Sequence, residues 1–153
     1  MDHDRRTLLK RAAGAAAVLA VALLKPARAL AAAWNKEAFS AKNPVDALKG
    51  IGVVDTAASK DLLIDAPQIA ENGAVVPIEI TSNIPNTTSI AVVIDKNPFP
   101  LAAKFDFMNG ALPFVKVNLK MGETSEVRAV ASAGGRNYVA TKEIKVTIGG
   151  CGG

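Results

Sequence analysis

The residue best suited to chemistry is Cys151, the single cysteine among 153 residues. It is surrounded by Gly149, Gly150, Gly152 and Gly153. Glycine lacks a β-carbon and has the freest backbone, so this segment cannot pack into a core and should display the thiol. Fully extended, at about 3.3–3.6 Å per residue, the three steps from Ile148 place Cys151 on the order of 10 Å beyond the domain. Residues 149–153 are therefore predicted to form a slender, flexible arm.

A second motif lies near the N-terminus, where the pair Arg5 and Arg6 is followed by Leu8, Leu9 and Lys10. This pattern resembles the twin-arginine export signal. An ordinary secretory signal that carries two adjacent arginines by chance is the alternative.

The apolar run of this leader extends from Ala12 to Leu24, which is short for a helix that spans a bilayer with about 20 apolar residues. We therefore expect no permanent membrane anchor. Small residues allow cleavage after Ala29 or Ala31. We predict that residues 1–31 are a cleaved signal peptide.

Removal of this leader changes the charge and the chemistry of the chain. The leader holds six of the 18 basic and two of the 14 acidic residues, so twelve of each remain. With no basic cluster left, nucleic-acid binding is not expected. The single histidine, His3, is removed as well. A Cys–His nucleophile pair and a histidine metal site are thereby excluded from the mature chain.

Two other groups of side chains are candidates for a functional site. The carboxylates that could in principle form an acid–base pair are Asp95, Asp106, Glu123 and Glu126. Residues of this kind at strand ends and turns are mostly solvated surface, which is what we expect here. The phenylalanines of the mature domain's second half are Phe99, Phe105, Phe107 and Phe114. We expect most of them in the core, with Phe99, between two prolines, the best candidate for an interface.

The spacing of apolar residues predicts the fold. Residues 32–50 have a partly helical pattern interrupted at Pro44, with Asn43 as a cap and Gly50 as an end. Beyond Gly52 the period becomes two, most clearly in residues 115–121. Turn signals divide this region into about seven strands, among them Asn72-Gly73, which is typical of a hairpin. Residues 32–148 are therefore predicted to be an all-β, immunoglobulin-like antiparallel sandwich with a short N-terminal helical segment.

The glycine-flanked Cys151 resembles the signature of the SoxY family, the sulfur-carrying subunits of the bacterial thiosulfate-oxidising Sox system. The twin-arginine leader, the stretch Ala66–Pro77 and the closing stretch Lys142–Thr147 agree with this resemblance. It implies a non-catalytic carrier, with Cys151 as the covalent attachment site and the four glycines as the carrier arm. It also implies a periplasmic location and no cofactor other than the sulfur adducts.

The same resemblance implies partners. SoxY pairs with a second small sandwich protein, SoxZ. The haem enzyme SoxAX couples thiosulfate oxidatively to the thiol, and the metal-dependent hydrolase SoxB then releases sulfate. In systems that have it, SoxCD oxidises the remaining sulfane sulfur.

Two other functions remain open from the residues. One is a periplasmic Ig-like adaptor that is linked to a partner by a disulfide through Cys151. The other is a thiol oxidoreductase, a class that usually needs a second, resolving cysteine. This chain has one cysteine, which favours the carrier.

Overall fold

The computed structural model describes residues 35–147, which form two short helices and nine strands. The helices are α1 (Lys36–Ser40) and α2 (Pro44–Gly50). The strands are β1 (Ala57–Ala58), β2 (Leu62–Asp65), β3 (Ile69–Ala70), β4 (Val76–Ser82), β5 (Thr87–Ile94), β6 (Leu101–Asp106), β7 (Phe114–Leu119), β8 (Ser125–Ala133) and β9 (Arg136–Val146). The predicted Ig-like sandwich is confirmed, and seven of the strands are four residues or longer.

Two predicted segments lie outside the described residues. They are the leader 1–31, with Arg5 and Arg6, and the arm 149–153, with Cys151. Between residues 35 and 147, no helix has the length and apolar character needed to cross a membrane.

Both helices begin with a capped N-terminus. The Asn35 side chain accepts a hydrogen bond from the Ala38 N–H at 3.0 Å, and Asn43 accepts one from the Asp46 N–H at 2.9 Å. Such caps satisfy a donor that the helix leaves free, and proline is tolerated at the first helical position that Pro44 occupies. The predicted cap at Asn43 is therefore confirmed.

The strands form two sheets. One has the order β1-β9-β8-β5-β6, with β3 also paired to β9, and the other has the order β2-β4-β7. Neighbours are antiparallel except β1 and β3, which both run parallel to β9. The seven longer strands pair antiparallel, as predicted, and the two short strands β1 and β3 are parallel additions that the sequence pattern did not predict. Each of these strands is two residues long and pairs with a different part of the eleven-residue β9. Strand β2, which lies between β1 and β3 in the sequence, belongs to the other sheet.

Apolar side chains cover both faces of the larger sheet. Ile78, Ile90 and Val127 belong to the core between the sheets, whereas Val93 and Val130 pack with Ala38 and Ala47 of the helices. Every residue of β5 from Ser89 to Ile94 is therefore buried, and the period-two pattern disappears there.

The smaller sheet keeps the alternation because its outer face meets solvent. On that face Lys116 lies opposite Glu79, with 2.5 Å between ammonium and carboxylate. The hydrogen bond to Glu79, and then the attraction of its charge, raise the pKa of Lys116.

The predicted turns have different outcomes. Gly134 and Gly135 connect β8 to β9 with positive φ angles of 55° and 78°, as a two-residue hairpin requires. Asn109-Gly110 is also a turn with two positive φ angles. Asn72-Gly73 is not a hairpin loop, because β2 and β4 are joined by ten residues, 66–75, that include β3. That prediction was wrong.

Candidate functional site: the base of the predicted arm

Thr147 is the last described residue before the predicted arm, residues 149–153, and the residues around Thr147 form the base of that arm. Strand β9 ends where β8 begins and β5 ends, since Ile144 pairs with Ser125 and Ile94 pairs with Val127. The segments that connect strands at this end of the sandwich are 66–75, 95–100 and 120–124. We call this end, formed by these three segments and the end of β9, the arm end.

Strand β3 fixes one side of the base. Ala70 pairs with Val146, and the Lys145 N–H donates to the Gln68 carbonyl at 3.0 Å. Two residues further along the chain, the Thr147 N–H donates to the Ala70 carbonyl at 3.2 Å. The Thr147 hydroxyl donates to the Glu71 carbonyl, also at 3.2 Å. Both the main chain and the side chain of Thr147 are therefore tied to segment 66–75.

Thr124 fixes the other side. Its hydroxyl accepts a hydrogen bond from the Val146 N–H at 3.0 Å and donates to the Val146 carbonyl at 3.5 Å. The Thr124 side chain takes the place of a neighbouring strand here, because it pairs with both the N–H and the carbonyl of Val146. The sequence pattern did not indicate this role for Thr124.

A third set of hydrogen bonds joins the remaining segment to the arm end. The Asn97 side chain donates to the Lys120 carbonyl at 2.8 Å and accepts from the Gly122 N–H at 3.3 Å. Segment 95–100, which contains Phe99, is thus attached to segment 120–124. The three segments form one connected surface around the end of β9.

Gly73 lies at the centre of this arrangement and is buried. Its carbonyl accepts a hydrogen bond from the Met121 N–H at 2.7 Å. A β-carbon at this position would overlap the Met121 carbonyl and lie 2.8 Å from Cγ1 of Val146. The glycine therefore permits close packing rather than a turn with positive φ. The pair Asn72-Gly73 is typical of a hairpin turn, so the sequence pattern did not predict that Gly73 is needed for close packing.

The two stretches that supported the resemblance in the sequence lie against each other. Ala66–Pro77 contains β3, which pairs with the last residues of Lys142–Thr147. The Lys142 ammonium also donates to the Ala66 carbonyl at 2.6 Å. Together the two stretches form the base from which the chain continues toward Cys151.

Each of the four candidate carboxylates lies near a cation. Asp95 and Glu126 approach Arg128 at 2.5 Å and 3.7 Å. Asp106 is bound to Lys104, and Glu123 lies 4.0 Å from Lys96. Within the described part of the chain, no group of three or more His, Cys, Asp and Glu side chains is placed to hold a metal ion. Asp106, Glu123 and Glu126 are exposed, as predicted for carboxylates at strand ends and turns. Asp95 is not, because only 19% of its side chain is exposed in the pair with Arg128, so the prediction of a solvated carboxylate was wrong for Asp95.

The phenylalanines divide between core and surface. Phe105 and Phe107 pack against the core, as predicted. Phe99 is 49% exposed, and the Lys42 ammonium lies 3.6 Å from the centre of its ring. Phe114 is also half exposed, because it occupies the outer face of β7 while Val115 points to the core. The expectation of a core role was wrong for Phe114.

The comparisons with known proteins identify the family. The family model described as sulfur oxidation protein SoxY matches residues 47–151, a region that includes Cys151. The chain belongs to the SoxY family. A comparison with curated proteins gives no match.

Solved structures agree with this assignment. The chain is 36% identical to the sulfur carrier protein SoxY from Chlorobium limicola f thiosulfatophilum, with a TM-score of 0.64, over 74% of this chain and 99% of that one. It also resembles a superoxide reductase (neelaredoxin) from Ignicoccus hospitalis, at 22% identity and a TM-score of 0.51, over 67% and 92% of the two chains. At that identity the second likeness indicates a shared fold alone.

Proposed function

We propose that this protein is a sulfur carrier that holds intermediates of thiosulfate oxidation covalently on Cys151 and presents them to enzymes of the Sox system. The observation that carries this proposal is the match to the SoxY family over a region that includes Cys151. The 36% identity to a sulfur carrier protein supports the same role.

The chemistry of the thiol favours a carrier over an enzyme. Thiolate is the reactive form, and an unperturbed cysteine with a pKa of about 8.5 is only a few per cent thiolate near neutrality. No charged residue occurs in the sequence from 149 to 153, and histidine is absent beyond His3. Activation of the thiol is therefore the task of the enzyme that receives it.

The proposed loading step joins the thiolate to the outer sulfur of thiosulfate. Cys–S⁻ and S₂O₃²⁻ form Cys–S–S–SO₃⁻ and release two electrons, which a haem enzyme of the SoxAX type accepts. Hydrolysis by an enzyme of the SoxB type then converts this adduct and water into Cys–S–S⁻, sulfate and two protons. Where a SoxCD-type enzyme is present, it oxidises the sulfur that remains. The carrier itself contributes the thiol of Cys151 and the arm that lets this thiol reach the enzymes.

We also propose a periplasmic location, reached through the twin-arginine signal at Arg5 and Arg6, and a stable complex with a SoxZ-like sandwich subunit. An apolar surface supports the second point. Leu63 and Phe114 flank Thr81 in one row on the outer face of the smaller sheet, and both are about half exposed. Met108 and Leu112, in the segment before β7, are 74% and 83% exposed. A subunit with an apolar face would remove this surface from water.

The test is the mass of Cys151 in protein taken from thiosulfate-fed cells. We expect adducts that contain sulfane sulfur or a thiosulfate unit, and their loss in Cys151→Ser. A permanent disulfide to another protein, with no sulfur adduct, would instead support the adaptor function and contradict the carrier.

A further inference from the structure

We propose that the exposed apolar side chains of the arm end, Ile69, Val75 and Phe99, form a docking rim for the enzyme that loads Cys151 with thiosulfate. The inference rests on the proposed carrier function. It adds the surface by which this enzyme recognises the folded domain, as distinct from the thiol that it modifies.

The reach of the chain sets where an enzyme must lie. Cys151 is four steps along the chain from Thr147, and at about 3.3–3.6 Å per residue their α-carbons are at most about 14 Å apart. Thr147 is itself held by Ala70 and Glu71. An enzyme that takes the thiol into a buried active site must therefore bring the opening of that site against the arm end.

The arm end, against which the opening of the active site must lie, has exposed apolar side chains. Ile69 is 57% exposed and pairs with Lys145, two residues before Thr147. Val75 is 52% exposed and follows the buried Gly73. Phe99 is 49% exposed, in the segment that Asn97 ties to Gly122. Burial of exposed apolar surface stabilises a complex, at about 25 cal/mol for each Å² removed from water.

The surroundings of these residues suit a transient interface. Charged side chains at the arm end include Glu71, Lys96, Glu123 and Lys145, of both signs. An apolar centre with a polar margin is typical of complexes that must also dissociate. The hydrogen bonds of Asn97, Thr124 and Thr147 hold the three segments in place before binding, so little ordering is needed when the enzyme docks.

The experiment compares enzymatic with chemical loading of the mature full-length protein. For enzymatic loading, thiosulfate is supplied with the periplasmic fraction of the producing cells after deletion of the gene for this chain. For chemical loading, tetrathionate is used, because Cys–S⁻ displaces thiosulfate from it and gives the same Cys–S–S–SO₃⁻ without an enzyme. Intact-mass spectrometry follows both reactions at several carrier concentrations.

In the double variant Ile69→Ser/Val75→Ser, we expect the carrier concentration for half-maximal enzymatic loading to rise about five- to tenfold, as for loss of interface anchors. Tetrathionate loading and the melting temperature should not change. The matched control is Val54→Ser, because Val54 is 84% exposed in the segment between α2 and β1, beside the β8–β9 hairpin at the opposite end. Val75→Ile, which keeps an apolar surface, should load like the wild type.

Each outcome decides between the proposals. Enzymatic loading of the double variant at the wild-type rate would overturn the docking rim while leaving the carrier function intact. Equal slowing in Val54→Ser would overturn it as well. If the wild type acquires no thiosulfate-derived mass on Cys151, the carrier function fails, and the docking rim fails with it.

Discussion

The hydroxyl of Thr124 hydrogen-bonds to both the N–H and the carbonyl of Val146, at 3.0 and 3.5 Å. These two residues are 22 positions apart in the sequence. Val146 is the last residue of β9, so this contact fixes the chain just before the segment that leads to Cys151. One side chain thereby pairs with both backbone hydrogen-bonding groups of the last residue of β9.

Thr124→Val keeps the shape of the side chain but removes the hydroxyl. The Val146 N–H then loses its partner, and we expect the free energy of unfolding to fall by about 1 kcal/mol. For a domain of this size the melting temperature should drop by about 4 °C. Hydrogen exchange at Val146 should become faster than in Thr141→Val, a control on the exposed face of the same strand. Identical hydrogen exchange at Val146 in the two variants would refute the hydrogen bond between Thr124 and the Val146 N–H.

Gly73→Ala tests the close packing at the arm end. The added methyl group must displace the Met121 backbone or Val146, which should cost about 1–3 kcal/mol of stability. The control is Gly122→Ala, because a β-carbon at Gly122 meets nothing within 4 Å. Urea unfolding measures both variants. Equal urea midpoints for the two variants would mean that the residues around Gly73 accommodate the methyl group without loss of stability.

The glycines around Cys151 are predicted to give the arm slenderness and freedom. Gly150→Val or Gly152→Val adds a β-branched side chain next to the thiol and restricts the backbone. Enzymatic loading with thiosulfate should fall at least tenfold, while maleimide should label Cys151 at the wild-type rate. Loading of the valine variants at the normal rate would show that no narrow channel receives the arm.

The exposed apolar side chains of the smaller sheet and of the segment before β7 predict a bound subunit. The double variant Met108→Ser/Leu112→Ser removes the two most exposed of these side chains. We expect the complex with the SoxZ-like subunit to dissociate at micromolar concentration, whereas Val54→Ser should remain in the complex. Sizing with light scattering gives the mass of each species. A complex of unchanged affinity in the double variant would exclude this surface as the interface.

Replacement of Arg5 and Arg6 by lysine tests the export signal. The twin-arginine pathway recognises the arginine pair, so the precursor should accumulate in the cytoplasm. Fractionation and immunoblotting measure its distribution. Normal periplasmic accumulation of the double variant would point to the general secretory pathway instead.

Residues with a local signal were predicted well. The alternation at 115–121 marked β7, Asn43 and Pro44 marked the start of α2, and Gly134-Gly135 marked a hairpin. These features depend on neighbours in the sequence, so the pattern of side chains contains them.

Features set by distant contacts were missed. Strands β1 and β3 are two residues long and carry no periodicity, so only their pairing with β9 defines them. β5 has apolar residues on both faces because the helices cover the larger sheet. Gly73 and Thr124 owe their roles to Met121 and Val146, which no local pattern links to them. The glycines around Cys151 predict an attachment site for sulfur, and this stays a prediction, whereas no local pattern predicts the hydrogen bonds that hold the end of β9.

The position of β9 has a mechanical consequence. Nine registered pairs connect it to β8, and β3 holds its end on the opposite side. A pull on Cys151 along the strand axis loads these hydrogen bonds in parallel, since they run across the direction of pull. They must rupture together rather than open one after another as in a zipper. Under the proposed function, the force from an enzyme that draws in the thiol would therefore be shared by all nine pairs of the ladder.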